Sequence, residues 1–222
     1  MGEVTQSFEL SLFENAYDMS MDYAELALDT IFEDGVLKEI PIVKTIYSIG
    51  KMGFNIKDRH LLKEQLVFIQ EFKDRRLSEE AKQKHHQRYV DNPKQAEKEL
   101  GRVMVLLDGH TENLQSQILA RFYAAFLRGA ISWERFAELS EINRRMLITD
   151  LPVLEEAFKN DGLDINDREL YQVDRLISLG LLQNSNRLGG LIIMNIAEEE
   201  KKDILITSLG KTYCQHSRKK RD

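Results

Sequence analysis

Residues 111–146 read TENLQSQILARFYAAFLRGAISWERFAELSEINRRM. Leu114, Ile118, Phe122, Ala125 and Phe126 recur every three or four residues, the spacing of one helix face. Gly129 supplies a stop, and Ser132 can cap a second helix whose Phe136, Leu139, Ile142 and Met146 point inward. Two amphipathic helices joined by so short a turn predict an antiparallel hairpin. The stretch therefore sets the expected fold class: mainly α, a helical bundle.

The same logic extends towards the N-terminus. Asn92-Pro93-Lys94-Gln95 is a helix start, with asparagine as cap and proline at the first position, where its missing N–H costs nothing. That helix buries Leu100, Val103, Met104 and Leu107, and Gly109 ends it. Residues 73–102 alternate in charge sign at helical spacing, the pattern of exposed helices with surface ion pairs. Leu62, Leu66, Ile69 and Phe72 mark an earlier helix beginning near Asp58. Before it, Pro41 opens a segment whose Ile42, Ile46, Ile49, Gly53 and Ile56 form one stripe. Gly50 and Gly53 lie three apart, letting another helix approach closely at a cost in helix stability of ~1 kcal/mol per glycine. From Tyr17 to Phe32 a helical pattern returns, while residues 1–19 show no clear period.

The last sixty residues change character. Asn166–Glu169 has a capping-box arrangement, Leu170, Val173, Leu176 and Ile177 form a helix face, and Gly180 ends it. Leu188–Ala197 and Ile204–Ile206 are β-prone runs across a charged turn and suggest a hairpin. Thr207–Gly210 leads into a final helix and a basic tail. A helix, a glycine, paired strands and a closing helix predict a winged-helix-like α+β module. The expected organisation is an acidic arm or helix at 1–37, a helical domain at 38–158 and the winged-helix-like module at 159–222.

Charge and motifs narrow the function. The chain has 222 residues and a net charge of −6, which disfavours a pure nucleic-acid binder. Nine acidic and no basic residues lie in 1–37, so residues 38–222 carry a balance of +3. Cys214 is the one cysteine, which excludes an intramolecular disulfide and fits a cytoplasmic location. No leader and no bilayer-length apolar run is seen. Gly50-Lys51 lacks the rest of a phosphate-binding loop, and no nucleophile elbow exists. His85 and His86 are adjacent and point about 100° apart on a helix. His60, His85, His86, His110 and His216 read as surface residues rather than zinc ligands. No catalytic, cofactor-binding or metal-ligating residue emerges, so no cofactor is expected. Nucleic-acid contacts, if made, fall to Arg168, Arg175 and Arg187 and to the terminal Arg218, Lys219, Lys220 and Arg221. Asp167, Glu169 and Asp174 on the same helix oppose them. A partner-binding or membrane-surface helix falls to Ile42, Ile46, Ile49, Gly50, Gly53 and Ile56.

Three blocks, IPIVKTIYSIGKMGFNIKDRHLLKEQLVFIQEF (40–72), LARFYAAFLRGAISWERFAEL (119–139) and LYQVDRLISLGLLQ…ILITSLGKTYC (170–214), together resemble a group of bacterial and prophage-borne proteins. The ending is similar to that of the abortive-infection alpha proteins, which join a helical region to a winged-helix-like end. The resemblance covers residues 36–215 and implies phage defence or mobile-element biology; it carries over no catalytic residue. The expectation is thus a non-enzymatic helical sensor, regulator or interaction protein in bacterial antiviral defence. A winged-helix DNA-binding regulator and a membrane-acting effector are the alternatives. A protein partner or a second copy is expected, DNA and a membrane surface stay open, and no small-molecule substrate is evident.

Overall fold

The computed structural model describes residues 2–14, 22–25, 36–49, 55–164, 170–185 and 203–219. The chain is mainly helical, with a small antiparallel sheet near its C-terminus, and divides into two units, Met1–Arg144 and Arg145–Asp222. The expected boundary near residue 158 thus lies at Arg144/Arg145 instead.

In the first unit the described helices are α1 (Glu3–Phe13), α2 (Pro41–Ile49), α3 (Ile56–Asp74), α4 (Glu79–Asp91), α5 (Pro93–Asp108), α6 (Asn113–Leu127) and α7 (Trp133–Arg145). The local signals explain most of these limits. Asn55 caps α3 in a capping box with Asp58, and Asn92 Oδ1 accepts from Gln95 N at 3.2 Å ahead of Pro93. Gly129 has φ +73°, a conformation other residues avoid. It lets Gly129 N reach Phe126 O and Ala130 N reach Ala125 O, both at 2.9 Å, so the last carbonyls of α6 are satisfied. Ser132 Oγ then accepts from Arg135 N at 3.2 Å and the hairpin partner α7 begins.

α6 is buried on nearly every side, so it is the central helix. Phe68 and Phe72 of α3 lie 6.0 and 5.8 Å from the ring of Tyr123, and Phe136 of α7 lies 5.7 Å from it. Side-chain amides lock the hairpin: Gln115 Nε2 donates to Asn143 O at 3.1 Å, and Asn143 Nδ2 donates to Gln115 O at 2.8 Å. Both amides are buried, and the reciprocal pairing gives each a partner across the hairpin.

The N-terminal segment is more than an appended arm. α1 packs on α2 and α3, burying Phe8 and Leu12 while Glu3 stays exposed. The long stripe expected from Ile42 to Ile56 is divided. Ile42 and Val43 are buried, Ile46 is half-buried, and Ile56 starts α3 with 79% of its surface exposed. Gly50, Gly53 and the side chain of Ile49 fall outside the described residues, as does most of the expected helix from Tyr17 to Phe32.

The second unit contains α8 (Leu151–Asn160), β1 (Gly162–Leu163), α9 (Leu170–Ser178), β2 (Leu182–Asn184), β3 (Ile204–Ile206) and α10 (Ser208–Ser217). α8 belongs here because Leu154 and Ala157 are buried where it packs on β1, β3 and α10. The sheet order is β1-β3-β2, all antiparallel, with Leu163 opposite Ile204 and Leu182 opposite Ile206. The observed partners of Ile204–Ile206 are therefore β1 and β2; the run Leu188–Ala197 lies outside the described residues. Gly180 closes α9 as Gly129 closes α6. Thr207 ties the junction together: its Oγ1 donates to Gly180 O at 2.7 Å and accepts from Gly210 N at 2.9 Å.

Candidate functional site

Among the described residues of the second unit, α9 presents an exposed outer face. Val173 and Leu176 turn inward, which leaves Leu170 and Tyr171, each 54% exposed, and exposed Asp174 on the outside. Arg175 is committed elsewhere. Its Nε donates to Asp150 Oδ2 at 2.8 Å and its Nη2 to Oδ1 at 2.5 Å, a two-pronged pair of fixed geometry. Asp150 is fully buried, in a 3₁₀ turn (Ile148–Asp150) before α8. Gln172 Nε2 adds a bond to Thr149 O at 3.1 Å, and the Arg175 guanidinium lies 4.8 Å from the Tyr171 ring centre.

Of the remaining expected nucleic-acid contacts, Arg218 and Lys219 are among the described residues. Arg218 lays its guanidinium 4.3 Å from the ring centre of Phe158. Lys219 is exposed. Arg168, Arg187, Lys220 and Arg221 lie outside the described residues. Of the expected α2 residues Ile42 lies in the first unit's core, where its N donates to buried Ser11 Oγ at 2.9 Å, and Ile46 is half-buried.

The histidines correct a sequence expectation. His85 and His110 are buried, at 3% and 2% exposure, not on the surface. Ser116 Oγ donates to Glu64 Oε2 at 2.5 Å, which leaves its oxygen to accept from His110 Nδ1–H at 2.8 Å. His60 Nε2 donates to His110 O at 2.9 Å. Ser116 and Glu64 are wholly enclosed, and the serine proton is directed at the carboxylate, away from the imidazole. The chain of groups thus pins α3 against α6. Burial, with help from Arg144 and His60, pushes His110 down to about 4. Burial raises Glu64, against the Ser116 hydrogen bond and the His60 and Lys63 charges.

This has a measurable consequence. A carboxyl whose folded-state pKa is raised stabilises the fold at low pH, and that contribution is lost as pH rises through the raised value. Glu64→Gln is therefore expected to gain Tm relative to the unaltered chain as pH climbs above 4.5, the ordinary glutamate value. Thermal melts across pH check it; a variant that loses ground with rising pH would contradict the raised carboxyl.

Cys214 is buried beneath α8, and burial pushes its thiol up to about 12, so it stays protonated. Among the described residues no three His, Cys, Asp or Glu side chains converge to hold a metal. No described helix is long and apolar enough to cross a membrane. Two groups now prominent were missed in the sequence. Asp150 had a signal, an acid directly before Leu-Pro at a helix start. The Glu64–Ser116–His110 chain had none, because its members are distant in sequence.

No family model matches the chain, and neither a curated protein nor a solved structure shows significant similarity to it.

Proposed function

We propose that this chain is a non-enzymatic regulator or sensor that acts through protein contacts, with the outer face of α9 as a contact surface. The observation that carries this reading is the pairing of Arg175 with buried Asp150. A guanidinium so held is withheld from phosphate, and what the helix presents instead is Leu170, Tyr171 and Asp174. Tyrosine beside an aliphatic residue is characteristic of protein interfaces, whereas a carboxylate repels a phosphate backbone. The sheet order β1-β3-β2, with α9 between its outer strands, supports the winged-helix-like reading of the module. Such modules serve protein and DNA contacts alike, so the α9 face and not the fold decides between them. The setting we propose, bacterial antiviral defence, rests on the resemblance of the three sequence blocks.

A photo-crosslinking side chain placed at position 171 is expected to give discrete protein adducts in cells, lost with Leu170→Ser. The purified chain is expected to leave duplex DNA unshifted at low salt. A mobility shift that weakens with Lys219→Ala, without protein adducts, would overturn the proposal in favour of a DNA-binding regulator.

A further inference from the structure

The first unit carries a cleft of about 670 Å³ between α1 and α4, within the size range of small-molecule sites. Its lining combines apolar surface from Leu10 and Phe13 with Glu9, Glu14, His85 and His86. Three features set it apart from an ordinary surface furrow.

The first is His85. The imidazole is 3% exposed, and neither ring nitrogen has a hydrogen-bond partner. It is held between Phe13 and Tyr89, with ring centres 4.5 and 4.3 Å away. Burial, reinforced by the Arg88 and His86 charges, pushes its pKa down to about 3, so the ring is neutral and offers one donor and one acceptor. Two unpaired buried nitrogens destabilise a fold, and a phenylalanine would stack equally well without them.

The second is Glu9. Its carboxyl is half-buried, and burial raises its pKa against the opposing His86 charge. The third is the balance of charge. Lys82, the one lysine or arginine lining the cleft among the described residues, donates to Glu79 at 2.7 Å, outside the lining. Among the described residues Glu9 is therefore left facing the cleft without a lysine or arginine of its own, while Glu14 has Lys73 beside it, whose ammonium donates to the Glu14 carbonyl.

We propose that this cleft binds a small amphipathic organic cation, an ammonium or amidinium on an aromatic or aliphatic body. The cation pairs with Glu9, the body lies on Leu10 and Phe13, and a polar N–H of the ligand reaches a nitrogen of His85. An aromatic ring near the cationic centre adds attraction when water is excluded. The inference is independent of the α9 contact surface, which lies in the other unit.

Benzamidine is a suitable probe, with benzoate and benzyl alcohol as the anionic and neutral controls. Calorimetric titration of the full chain is expected to show one saturable benzamidine site with a Kd of ~1 mM or tighter, and neither control binding comparably. The His85 ring ¹⁵N resonances are expected to move on titration. Glu9→Gln should weaken binding about tenfold, the worth of one partly shielded ion pair. His85→Phe should abolish the polar anchor while raising Tm, the reverse of what a packing role predicts. No saturation by ~10 mM benzamidine, equal binding of benzoate, or unchanged affinity in Glu9→Gln would overturn the proposal. Should His85→Phe fail to fold, the Glu9→Gln titration followed at the His85 nitrogens still decides it.

Discussion

Gly210→Ala is expected to lower the melting point of the C-terminal unit while that of the N-terminal unit stays unchanged. A Cβ at position 210 would overlap the Leu181 carbonyl oxygen and come within 2.8 Å of Ile206 Cγ1. The carbonyl is backbone and cannot swing aside. It also accepts from Thr207 N at 3.0 Å, so displacing it breaks the junction that holds α10. Tyr213 and Cys214 on the same face of α10 are buried and would leave the core together. Overpacking usually costs 1–3 kcal/mol; against an immobile backbone we expect ~3 kcal/mol or more, a fall in Tm of about 15 °C for a unit of this size. Trp133, the one tryptophan, stacks on Phe136 at 5.0 Å and reports on the first unit. Its fluorescence transition should be unchanged while amide signals from 145–222 are lost at a lower temperature. A variant whose C-terminal signals melt within about 1 °C of the unaltered chain would show that the close approach does not exist.

Glu71→Ala is expected to be the most damaging substitution of a charged residue in the first unit. Arg121 Nε and Nη2 donate to the two Glu71 oxygens at 2.9 and 3.3 Å, and Arg75 Nε donates to Oε1 at 2.8 Å. The three side chains are 5%, 8% and 10% exposed for Glu71, Arg121 and Arg75. Arg128 completes the arrangement by donating to the Arg75 carbonyl. Removing the carboxylate leaves two shielded guanidinium groups sharing one space. Breaking a buried pair in this way costs ~3–5 kcal/mol, about 10 °C in Tm. The pH dependence has a definite sign. Burial alone would raise Glu71, but the Arg121 and Arg75 bonds outweigh it and its pKa is lowered. Its contribution is therefore present above 4.5 and lost as pH falls through the lowered value, opposite to that of Glu64. Melts of Glu71→Ala at neutral and acid pH check both parts; equal destabilisation at all pH values would remove the charge argument.

The opposed signs of Glu64 and Glu71 show where sequence reading stops. Both glutamates sit on α3, both are buried, and their flanking residues are similarly mixed. Glu64 meets Ser116 and Glu71 meets Arg121 in addition to its neighbour Arg75, and both long-range partners come from α6, some fifty residues away. Only Arg75, four residues after Glu71, is a local sign of the difference; the dominant partners are not legible in any local pattern.

What the sequence determined by itself was every feature settled within a few residues. The caps Asn92 and Ser132, the glycine stops at 129 and 180, and the helical period of α6 and α7 all satisfy backbone groups or bury faces locally. The helical body with a small α+β end follows from them. Tertiary structure alone decided which charges became internal: Arg175, expected to contact phosphate, is claimed by Asp150, and His85, expected in solvent, is enclosed by Phe13 and Tyr89. It also decided that α8 joins the C-terminal unit and that the two-residue strand β1 exists at all. A strand that short has no period of its own, and its pairing is set by the edge of β3 that it meets. Desolvation and pairing depend on what surrounds a group in space, and chain order does not encode those neighbours in any local pattern.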